Sequence, residues 1–310
     1  MKKVFIDGSA GTTGLRIRER LAARTDLEMI LLDEARRKDA RARAEALNAS
    51  DVAFLCLPDT AAAEAVEMVQ NPATVVIDTS TAHRTAAGWT YGFAELSGQR
   101  EKIAASKRIA NPGCHASGFI ALAAPLVEAG ILRRDAQLTC FSLTGYSGGG
   151  KKMIGQYEVP ENAADLLAPR MYGLTQNHKH LPEMAAVCGF VTPPVFCPVV
   201  SSYYAGMEVV VPLPADALDA EVDEVKALYR RYYADSLVRY TEAEEDGFLS
   251  AGAMAGRDDM LVSVFGNGER VLLVSRFDNL GKGASGAAIQ NMNIVLGTEE
   301  TCGLNVGKEN

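Results

Sequence analysis

Short apolar runs alternate with helix-like segments along the first third of this 310-residue chain. The apolar runs predict strands at residues 4–6, 27–32, 52–57 and 74–78. The segments between them predict helices at residues 14–23, 35–47 and 60–69. Almost wholly apolar strands, each followed by a helix, are typical of a parallel sheet covered on both faces. Because the connections in such sheets are right-handed, we expect a doubly wound, Rossmann-like domain.

The pattern changes after about residue 115. An apolar helix is predicted at residues 116–128 and a second helix at 220–234. Between and after them come longer strand-like runs at residues 137–144, 207–213, 261–265 and 270–277. Runs of strands with few helices indicate an α+β domain with a mainly antiparallel sheet, so the whole chain is an α/β protein of two domains. Two Pro- and Gly-rich stretches, at residues 145–150 and 191–198, predict loops.

The net charge and the cysteine spacing restrict the classes of partner and the compartment that we expect for this chain. The net charge is −8, which argues against nucleic acid or a membrane surface as the partner and favours a small molecule. The longest apolar stretches, such as residues 119–127, are far shorter than the ~20 residues of a transmembrane helix. Six cysteines without paired or Cys/His spacing predict a reducing compartment, the cytoplasm, and no metal site.

A glycine-rich segment follows the first predicted strand and opens a helix. Glycines there allow close backbone approach, and the helix start offers N–H groups to a pyrophosphate. The spacing is GxxGxxG and not GxGxxG, so the prediction of a dinucleotide site depends on its place after the first strand; the alternative is a turn that binds nothing. The predicted cofactor-binding residues are Gly8, Ser9, Ala10, Gly11, Thr12, Thr13 and Gly14.

The choice between NADP and NAD depends on the end of the second predicted strand. Asp33 could hold a ribose hydroxyl, as acids at this place do in NAD enzymes. Arg36, Arg37 and Lys38 follow it and could clamp a 2′-phosphate, although they could also be a solvated helix start. We predict NADP as the cofactor, and Asp33 leaves NAD open.

Cys114 stands in the segment Asn-Pro-Gly-Cys-His, directly before the predicted apolar helix. N–H groups at a helix start lower the pKa of a thiol, which favours the nucleophilic thiolate. We therefore predict that Cys114 is the nucleophile and that the other five cysteines are packing residues. A thiol nucleophile needs an acid/base partner, and histidine fits that task at neutral pH.

Two of the four histidines, His178 and His180, lie in one short segment that also contains Glu183. We predict that one of the two is catalytic, with His180 preferred, and that Glu183 orients an imidazole. His115 is a weaker candidate, because neighbours in a helix face different ways. The alternative is a polar loop with incidental histidines.

These motifs resemble those of the N-acetyl-γ-glutamyl-phosphate reductase family, in its short form. The resemblance extends over nearly the whole chain. The matching segments are GSAGTTG at 8–14, CLPD at 56–59, DTSTAHR at 78–84, NPGCHA at 111–116, TGYSGGGKK at 144–152, HKHLPE at 178–183 and DNLGKGASGAAIQNMN at 278–293.

The resemblance implies an NADPH-dependent reduction of an acyl phosphate through a thioester on Cys114. Arg84 and Lys151 (or Lys152) are then the expected anchors for the anionic substrate, together with Asn111. The resemblance also implies that Asn279 and Gly283 approach the nicotinamide. The expected domains are residues 1–115 for the cofactor, 116–280 for catalysis and oligomerisation, and 281–310 as a C-terminal helix that returns to the cofactor domain. A homo-oligomer, dimer or tetramer, is expected.

Two other functions stay open on the sequence. The first is an aspartate-semialdehyde dehydrogenase-like reductase acting on another acyl phosphate, although the NCxT context of that enzyme's cysteine is absent here. The second is a catalytically silent NADP-binding regulatory protein. Such a protein would need neither Cys114 nor the histidines of residues 178–183.

Overall fold

The structure, a computed structural model, describes residues 1–159 and 163–307. The chain divides into two compact units. The first unit comprises Met1–Gly113 and Ala284–Leu304, and the second comprises Cys114–Gly283 with the residues after Leu304. The first unit is therefore built from two separate stretches of the chain.

A six-stranded sheet forms the centre of the first unit, and its strand pairings are parallel. Its strands are β1 (Lys2–Asp7), β2 (Leu27–Ile30), β3 (Val52–Leu55), β4 (Val75–Asp78), β5 (Thr90–Tyr91) and β6 (Arg108–Ala110). They lie in the order β2-β1-β3-β4-β6-β5. The strand order reverses beside β1, as in doubly wound folds, so the Rossmann-like prediction is confirmed.

Helices cover both faces of this sheet. They are α1 (Thr12–Leu21), α2 (Ala40–Ala49), α3 (Asp59–Glu67), α4 (Gln99–Ala105) and, from the C-terminal stretch, α10 (Gly286–Leu296). Alternate residues of the buried strand β3 point to opposite faces, so Phe54 packs in one apolar cluster and Leu55 in the other. Helix α2 begins at Ala40 and not at residue 35, because the Asp39 side chain caps it by accepting the N–H of Ala42.

The second unit contains a seven-stranded mixed sheet. Its strands are β7 (Thr139–Gly145), β8 (Arg170–Met171), β9 (Val195–Ser201), β10 (Met207–Pro214), β11 (Val238–Tyr240), β12 (Met260–Gly266) and β13 (Arg270–Phe277). They lie in the order β11-β12-β13-β10-β7-β9-β8. Only β7–β9 and β11–β12 pair in parallel, so the prediction of a mainly antiparallel sheet is confirmed.

Five α-helices accompany this sheet in the described residues. They are α5 (Cys114–Glu128), α6 (Gly150–Tyr157), α7 (Ala163–Leu166), α8 (Leu181–Cys188) and α9 (Val222–Tyr232). Helix α5 is buried from His115 to Leu126, so its start is held by the core of the unit. Pro125 lies inside α5 and cannot donate to the carbonyl of Ala121. The hydroxyl of Tyr233 donates to that carbonyl instead, at 2.7 Å.

The two predicted loops contain regular structure. Residues 191–198 include the start of β9, and residues 145–150 form a 3₁₀ turn, Tyr146–Gly149, that leads into α6. Proline in β9 is tolerated because Pro198 lies next to the short edge strand β8, and its carbonyl accepts the N–H of Tyr172. Among the helices of the described residues, none has the length and apolarity needed to cross a bilayer.

Candidate active site

A cavity of about 850 Å³ lies in the first unit, where β1 ends and the glycine-rich segment begins. Gly8, Ser9, Ala10 and Gly11 line it, whereas Thr12, Thr13 and Gly14 belong to α1. Gly8 has a φ of +86°, and a Cβ there would lie 2.2 Å from the carbonyl oxygen of Cys56. The backbone can approach a ligand here because side chains are excluded, which suits a dinucleotide phosphate at the start of α1.

Cationic side chains also line this cavity. Arg37 and Lys38 are among them, whereas Arg36 lies outside the lining and faces Glu45 at 3.7 Å. Arg43, which the sequence analysis did not select, lines the cavity as well. Its guanidinium donates to the buried carboxylate of Asp7 at 2.8–3.2 Å. This pair fixes a cation beside the glycine-rich segment.

Asp33 lines the same cavity. One of its carboxylate oxygens accepts the backbone N–H of Arg36 at 2.9 Å. This hydrogen bond stabilises the turn after Asp33, and Arg37 and Lys38, the two cationic residues that follow Arg36, line the cavity. A carboxylate remains at the place where an NAD enzyme would bind a ribose.

The predicted substrate anchors of the first unit lie at the ends of β4 and β6. Arg84 donates to the backbone carbonyls of Asn111 and Thr79, at 3.0 and 3.2 Å. The Asn111 amide is buried, donates to the carbonyl of Ala284 at 2.9 Å and accepts from Asn291 at 3.2 Å. These bonds hold the strand ends together, and direct substrate contact by either residue stays a prediction.

A buried carboxylate organises the same edge of the sheet. Asp78, the last residue of β4, accepts from the backbone N–H and the hydroxyl of Ser80 at 2.9 and 2.7 Å. It also pairs with Nδ1 of His83 at 2.6 Å. These bonds from Asp78, at the end of β4, stabilise the turn that precedes Arg84.

Cys114 is the first residue of α5 in the second unit, and it is partly exposed. Its sulfur, a ring nitrogen of His115 and a ring nitrogen of His180 all lie within 4.8 Å of one another. The structure therefore brings the predicted nucleophile and the preferred histidine together. It also brings in His115, which sequence reasoning had ranked below the other two histidines.

His115 is held by two hydroxyl groups that the sequence analysis missed. Its Nδ1 pairs with the Ser142 hydroxyl at 2.7 Å, and its Nε2 pairs with the Tyr172 hydroxyl at 2.6 Å. Complete burial lowers the pKa of His115 to about 3, so the ring is neutral. Burial, together with Cys114, raises the pKa of Tyr172. A signal for Ser142 existed, because it is a polar residue on the inward-facing side of β7.

His178, His180 and Glu183 surround the start of α8. Nδ1 of His178 accepts the backbone N–H of His180 at 3.3 Å. Burial, with a smaller contribution from Lys179, lowers the pKa of His178 to about 4. Nε2 of His180 lies 3.9 Å from the buried carboxylate of Glu183. That separation is longer than a hydrogen bond, and the role of Glu183 in orienting the His180 imidazole stays a prediction.

The remaining predicted residues of the second unit are placed as follows. Gly283 lies against Cys114, since a Cβ on residue 283 would be 2.9 Å from the Cys114 Cβ. Asn279 is buried, accepts the N–H of Gly206 at 2.9 Å and donates to the Ser147 hydroxyl at 3.0 Å. Lys151 is exposed in the first turn of α6. Contact of these residues with cofactor or substrate stays a prediction.

Three other cysteines are unsuited to nucleophilic chemistry. Burial raises the pKa of the Cys56 thiol to about 12. Burial also raises the pKa values of Cys140 and Cys188. These thiols are protonated at neutral pH and pack as small apolar groups.

Comparison with known proteins identifies the family. The chain is 46% identical to N-acetyl-gamma-glutamyl-phosphate reductase 2 of Nostoc sp., over 97% of this chain and 99% of that protein. It is 47% identical to N-acetyl-gamma-glutamyl-phosphate reductase of Sinorhizobium medicae, over 95% of this chain and 98% of that protein. The chain belongs to the N-acetyl-γ-glutamyl-phosphate reductase family.

Domain families agree with this membership. Residues 32–106 match the family "Semialdehyde dehydrogenase, NAD binding domain". Residues 114–279 match the family "Semialdehyde dehydrogenase, dimerisation domain". This member of the reductase family is therefore an oxidoreductase with a nicotinamide cofactor, and the cavity residues of the first unit fit a dinucleotide.

Solved structures show the same fold at much lower identity. The chain is similar to aspartate semialdehyde dehydrogenase II of Vibrio cholerae, with a TM-score of 0.74 and 16% identity over 96% of this chain and 98% of that one. It is also similar to aspartate semialdehyde dehydrogenase of Francisella tularensis, with a TM-score of 0.72 and 13% identity over 96% and 100% of the two chains. This chain thus shares its α/β fold with these enzymes.

Proposed function

We propose that this chain catalyses the NADPH-dependent reductive dephosphorylation of N-acetyl-γ-glutamyl phosphate to N-acetyl-glutamate 5-semialdehyde, a step of arginine biosynthesis. The observation that carries the proposal is the grouping of the Cys114 sulfur with two imidazoles, in a chain that belongs to the reductase family. A silent regulatory protein would have no use for this group.

Cys114 performs the first step. Its thiolate attacks the carbonyl carbon of the acyl phosphate and forms a tetrahedral intermediate. The C–O bond to phosphate then breaks, inorganic phosphate leaves, and a thioester with Cys114 remains. In this proposal the backbone N–H groups at the start of α5, which point along the helix axis toward Cys114, stabilise the oxyanion of this intermediate.

His180 handles the protons. The nicotinamide cofactor, when bound, supplies a hydride that reduces the thioester carbonyl. The resulting thiohemiacetal oxygen is protonated and deprotonated by His180, the carbon–sulfur bond breaks, and the thiolate is restored as the semialdehyde leaves. The membership of His180 in the group around sulfur, and the carboxylate of Glu183 behind it at 3.9 Å, support this assignment over His178.

We propose NADP as the cofactor, with Lys38 and Arg37 at its 2′-phosphate and Arg43 as a fixed cation in the same wall. Their place in the cavity lining supports this assignment. Because Asp33 already accepts an N–H from Arg36, it is partly engaged in a turn. Phosphate is bound well by guanidinium and ammonium groups, and the cationic side chains of the lining outnumber its two carboxylates, Asp7 and Asp33.

In this proposal each of the two units has its own function. The first binds the cofactor, with Gly8, Ser9, Ala10 and Gly11 at the pyrophosphate, and the second carries catalysis and subunit contacts. Arg84 and Lys151 are proposed as anchors for the anionic groups of the substrate, and Asn111 as the residue that places Arg84. The hydrogen bond from Arg84 to the Asn111 carbonyl supports that last role.

We further propose that the chain forms a homo-oligomer through one face of the second sheet. Phe141 and Leu143 of β7, Val210 of β10 and Leu272 of β13 lie on this face, and all four are partly or fully exposed. Apart from Glu208 and Arg276, which the strand register places on the same side, the face is mainly apolar, and such a face is suited to a second copy of the chain. A cytoplasmic location is also proposed, since all six cysteines are free thiols.

The test is the reverse reaction, followed as phosphate-dependent reduction of NADP⁺. N-acetyl-glutamate semialdehyde and aspartate semialdehyde are compared, with wild type, Cys114→Ser and the control Cys197→Ser. We expect turnover of the N-acetyl-glutamate compound by wild type and Cys197→Ser and none by Cys114→Ser. If the wild type turned over only aspartate semialdehyde, the proposed substrate would be wrong. If Cys114→Ser kept full activity, the proposed role of Cys114 as the nucleophile would be wrong.

A further inference from the structure

We propose that Cys114, His115 and His180 bind one divalent cation of the zinc class, and that this ion blocks the enzyme reversibly. The three side chains each offer a ligand atom, and the three atoms lie within 4.8 Å of one another. Sequence spacing gave no sign of a metal site, because His180 is far from the other two along the chain. The fold alone brings these ligands together.

The donor set selects the metal. One thiolate and two imidazole nitrogens are the ligands that Zn²⁺ takes in tetrahedral sites, with water in the fourth position. The three ligand atoms are sulfur and nitrogen, whereas ions such as Mg²⁺ and Ca²⁺ prefer oxygen ligands. Ligand atoms in a zinc site lie closer together than 4.8 Å, so the side chains close slightly around the ion.

An outer partner is in place for the His115 imidazole, and a carboxylate lies near the His180 imidazole. A metal-bound histidine usually donates its other ring N–H to an oxygen, which fixes the ring and strengthens the ligand. Nδ1 of His115 faces the Ser142 hydroxyl at 2.7 Å, so Nε2 is the atom that turns to the metal as the Tyr172 hydroxyl gives way. Nε2 of His180 faces Glu183, which leaves Nδ1 as its ligand atom.

Metal binding and acyl transfer exclude each other. The thiol proton is released when sulfur binds the ion, and a sulfur bound to metal cannot attack a carbonyl. A thioester on Cys114 conversely removes the thiolate ligand. The cation therefore competes with the acyl phosphate, and a chelator restores activity; this inhibition rests on the proposed function, whereas the binding itself does not.

The binding is tested on the full-length protein, freed of metals and without substrate. Co²⁺ is the spectroscopic probe: thiolate ligation gives a near-ultraviolet charge-transfer band, and tetrahedral geometry gives intense visible bands. Zn²⁺ affinity and stoichiometry are measured by competition with a chromophoric chelator. We expect one ion per chain, loss of the charge-transfer band in Cys114→Ser, and Zn²⁺ affinity lowered at least ~10-fold in His115→Gln and His180→Gln.

His178→Gln is the matched control, since its imidazole adjoins that of His180 with ring centroids 4.8 Å apart but is outside the ligand group. It should retain the charge-transfer band and the Zn²⁺ affinity of the wild type. Unchanged Zn²⁺ affinity in folded Cys114→Ser, or a wild-type Co²⁺ complex without the thiolate band, would overturn the proposal. These outcomes need no catalytic assay, so they are separate from a failure of the proposed reaction.

Discussion

Gly283 leaves room for Cys114: a Cβ on residue 283 would lie 2.9 Å from the Cys114 Cβ. The same Cβ would lie 3.2 Å from the carbonyl oxygen of Asp278. Neither neighbour is the flexible end of a side chain. The absence of a side chain at position 283 is therefore part of what fixes the position of the proposed nucleophile.

Gly283→Ala should displace Cys114 and lower kcat by at least ~10-fold, because small misplacements of reacting groups are costly. The same substitution should also change the rate at which iodoacetamide alkylates Cys114. This rate reports on the position and reactivity of the thiol in the absence of substrate. Gly155→Ala is the control, as a Cβ at that position meets no atom within 4 Å. Equal kcat and alkylation rates in both variants would show that the contact has no effect on Cys114.

Tyr233→Phe should lower the free energy of unfolding by about 1–3 kcal/mol, because it leaves the buried carbonyl of Ala121 without its donor. In a Pro125→Ala background the restored N–H of residue 125 can donate to that carbonyl, so the same substitution should cost less. Denaturant unfolding of the four proteins of this double-mutant cycle gives the coupling. Tyr232→Phe, which removes an exposed bond to Glu128, is the control. A cycle with no coupling would reject this role for Tyr233.

The alternation of strands and helices in the first unit could be predicted from the sequence because it depends on local hydrophobic patterns. The apolar runs of the first third became the parallel sheet, and the predicted helix at 116–128 became α5 with two more residues at its start. The start of α2 was misplaced, since a continuous charged run hid the cap at Asp39. Strand β9 was missed because its proline resembles a loop signal, and only pairing with β7 shows otherwise.

Stability should fall below about pH 6.5 because His115 is buried as a neutral ring. Its pKa is lowered from 6.5 to about 3, so between these values the unfolded chain binds a proton that the folded chain does not. The loss should approach about 1.4 kcal/mol per pH unit. His115→Gln should flatten the fall between pH 6 and 4. Ser142→Ala removes a hydrogen bond but no titrating group, so it should lower stability without flattening the curve; identical curves for His115→Gln and wild type would contradict the assignment.

Cofactor preference should respond to Lys38. Lys38→Gln should weaken NADP⁺ binding by ~10-fold or more and leave NAD⁺ binding unchanged, since a hydrogen bond to a charged group contributes about 1.5–3 kcal/mol. Isothermal titration with both dinucleotides measures this. Arg36→Gln is the control, because Arg36 faces Glu45 outside the cavity lining. Equal losses for NADP⁺ and NAD⁺ would place Lys38 away from the 2′-phosphate.

Leu272→Glu should dissociate the proposed oligomer. Leu272 is 42% exposed on the apolar sheet face, and a carboxylate buried there on assembly would lack a partner. Sedimentation velocity should show a smaller species than wild type. Leu174→Glu, at a residue that is 75% exposed outside the sheet, should keep the wild-type assembly. A wild-type assembly in both variants would mean that subunits meet elsewhere.

The candidate site was only partly predictable. Cys114, His180 and Glu183 have recognisable local contexts, and the structure places them near one another. Helix geometry makes His115 a weak candidate, because adjacent residues on a helix face different ways. In the structure, however, the side chains of Cys114 and His115 lie close together in the first turn of α5. Ser142 could be noticed only as a polar residue on the inward-facing side of β7. Its contact with His115, and that of Tyr172, join residues distant along the chain, so the sequence does not reveal them.

The two-part origin of the first unit affects the order in which the protein can be completed on the ribosome. Ile289 and Met292 of α10 belong to the same apolar cluster as Val4 and Ile17. Because synthesis runs from the N-terminus, strand β1 and helix α1 are made first, whereas helix α10, which completes their apolar cluster, is made last. A nascent chain halted before residue 284 holds nearly all of its second unit, whereas the first exposes an unfinished core to chaperones and proteases.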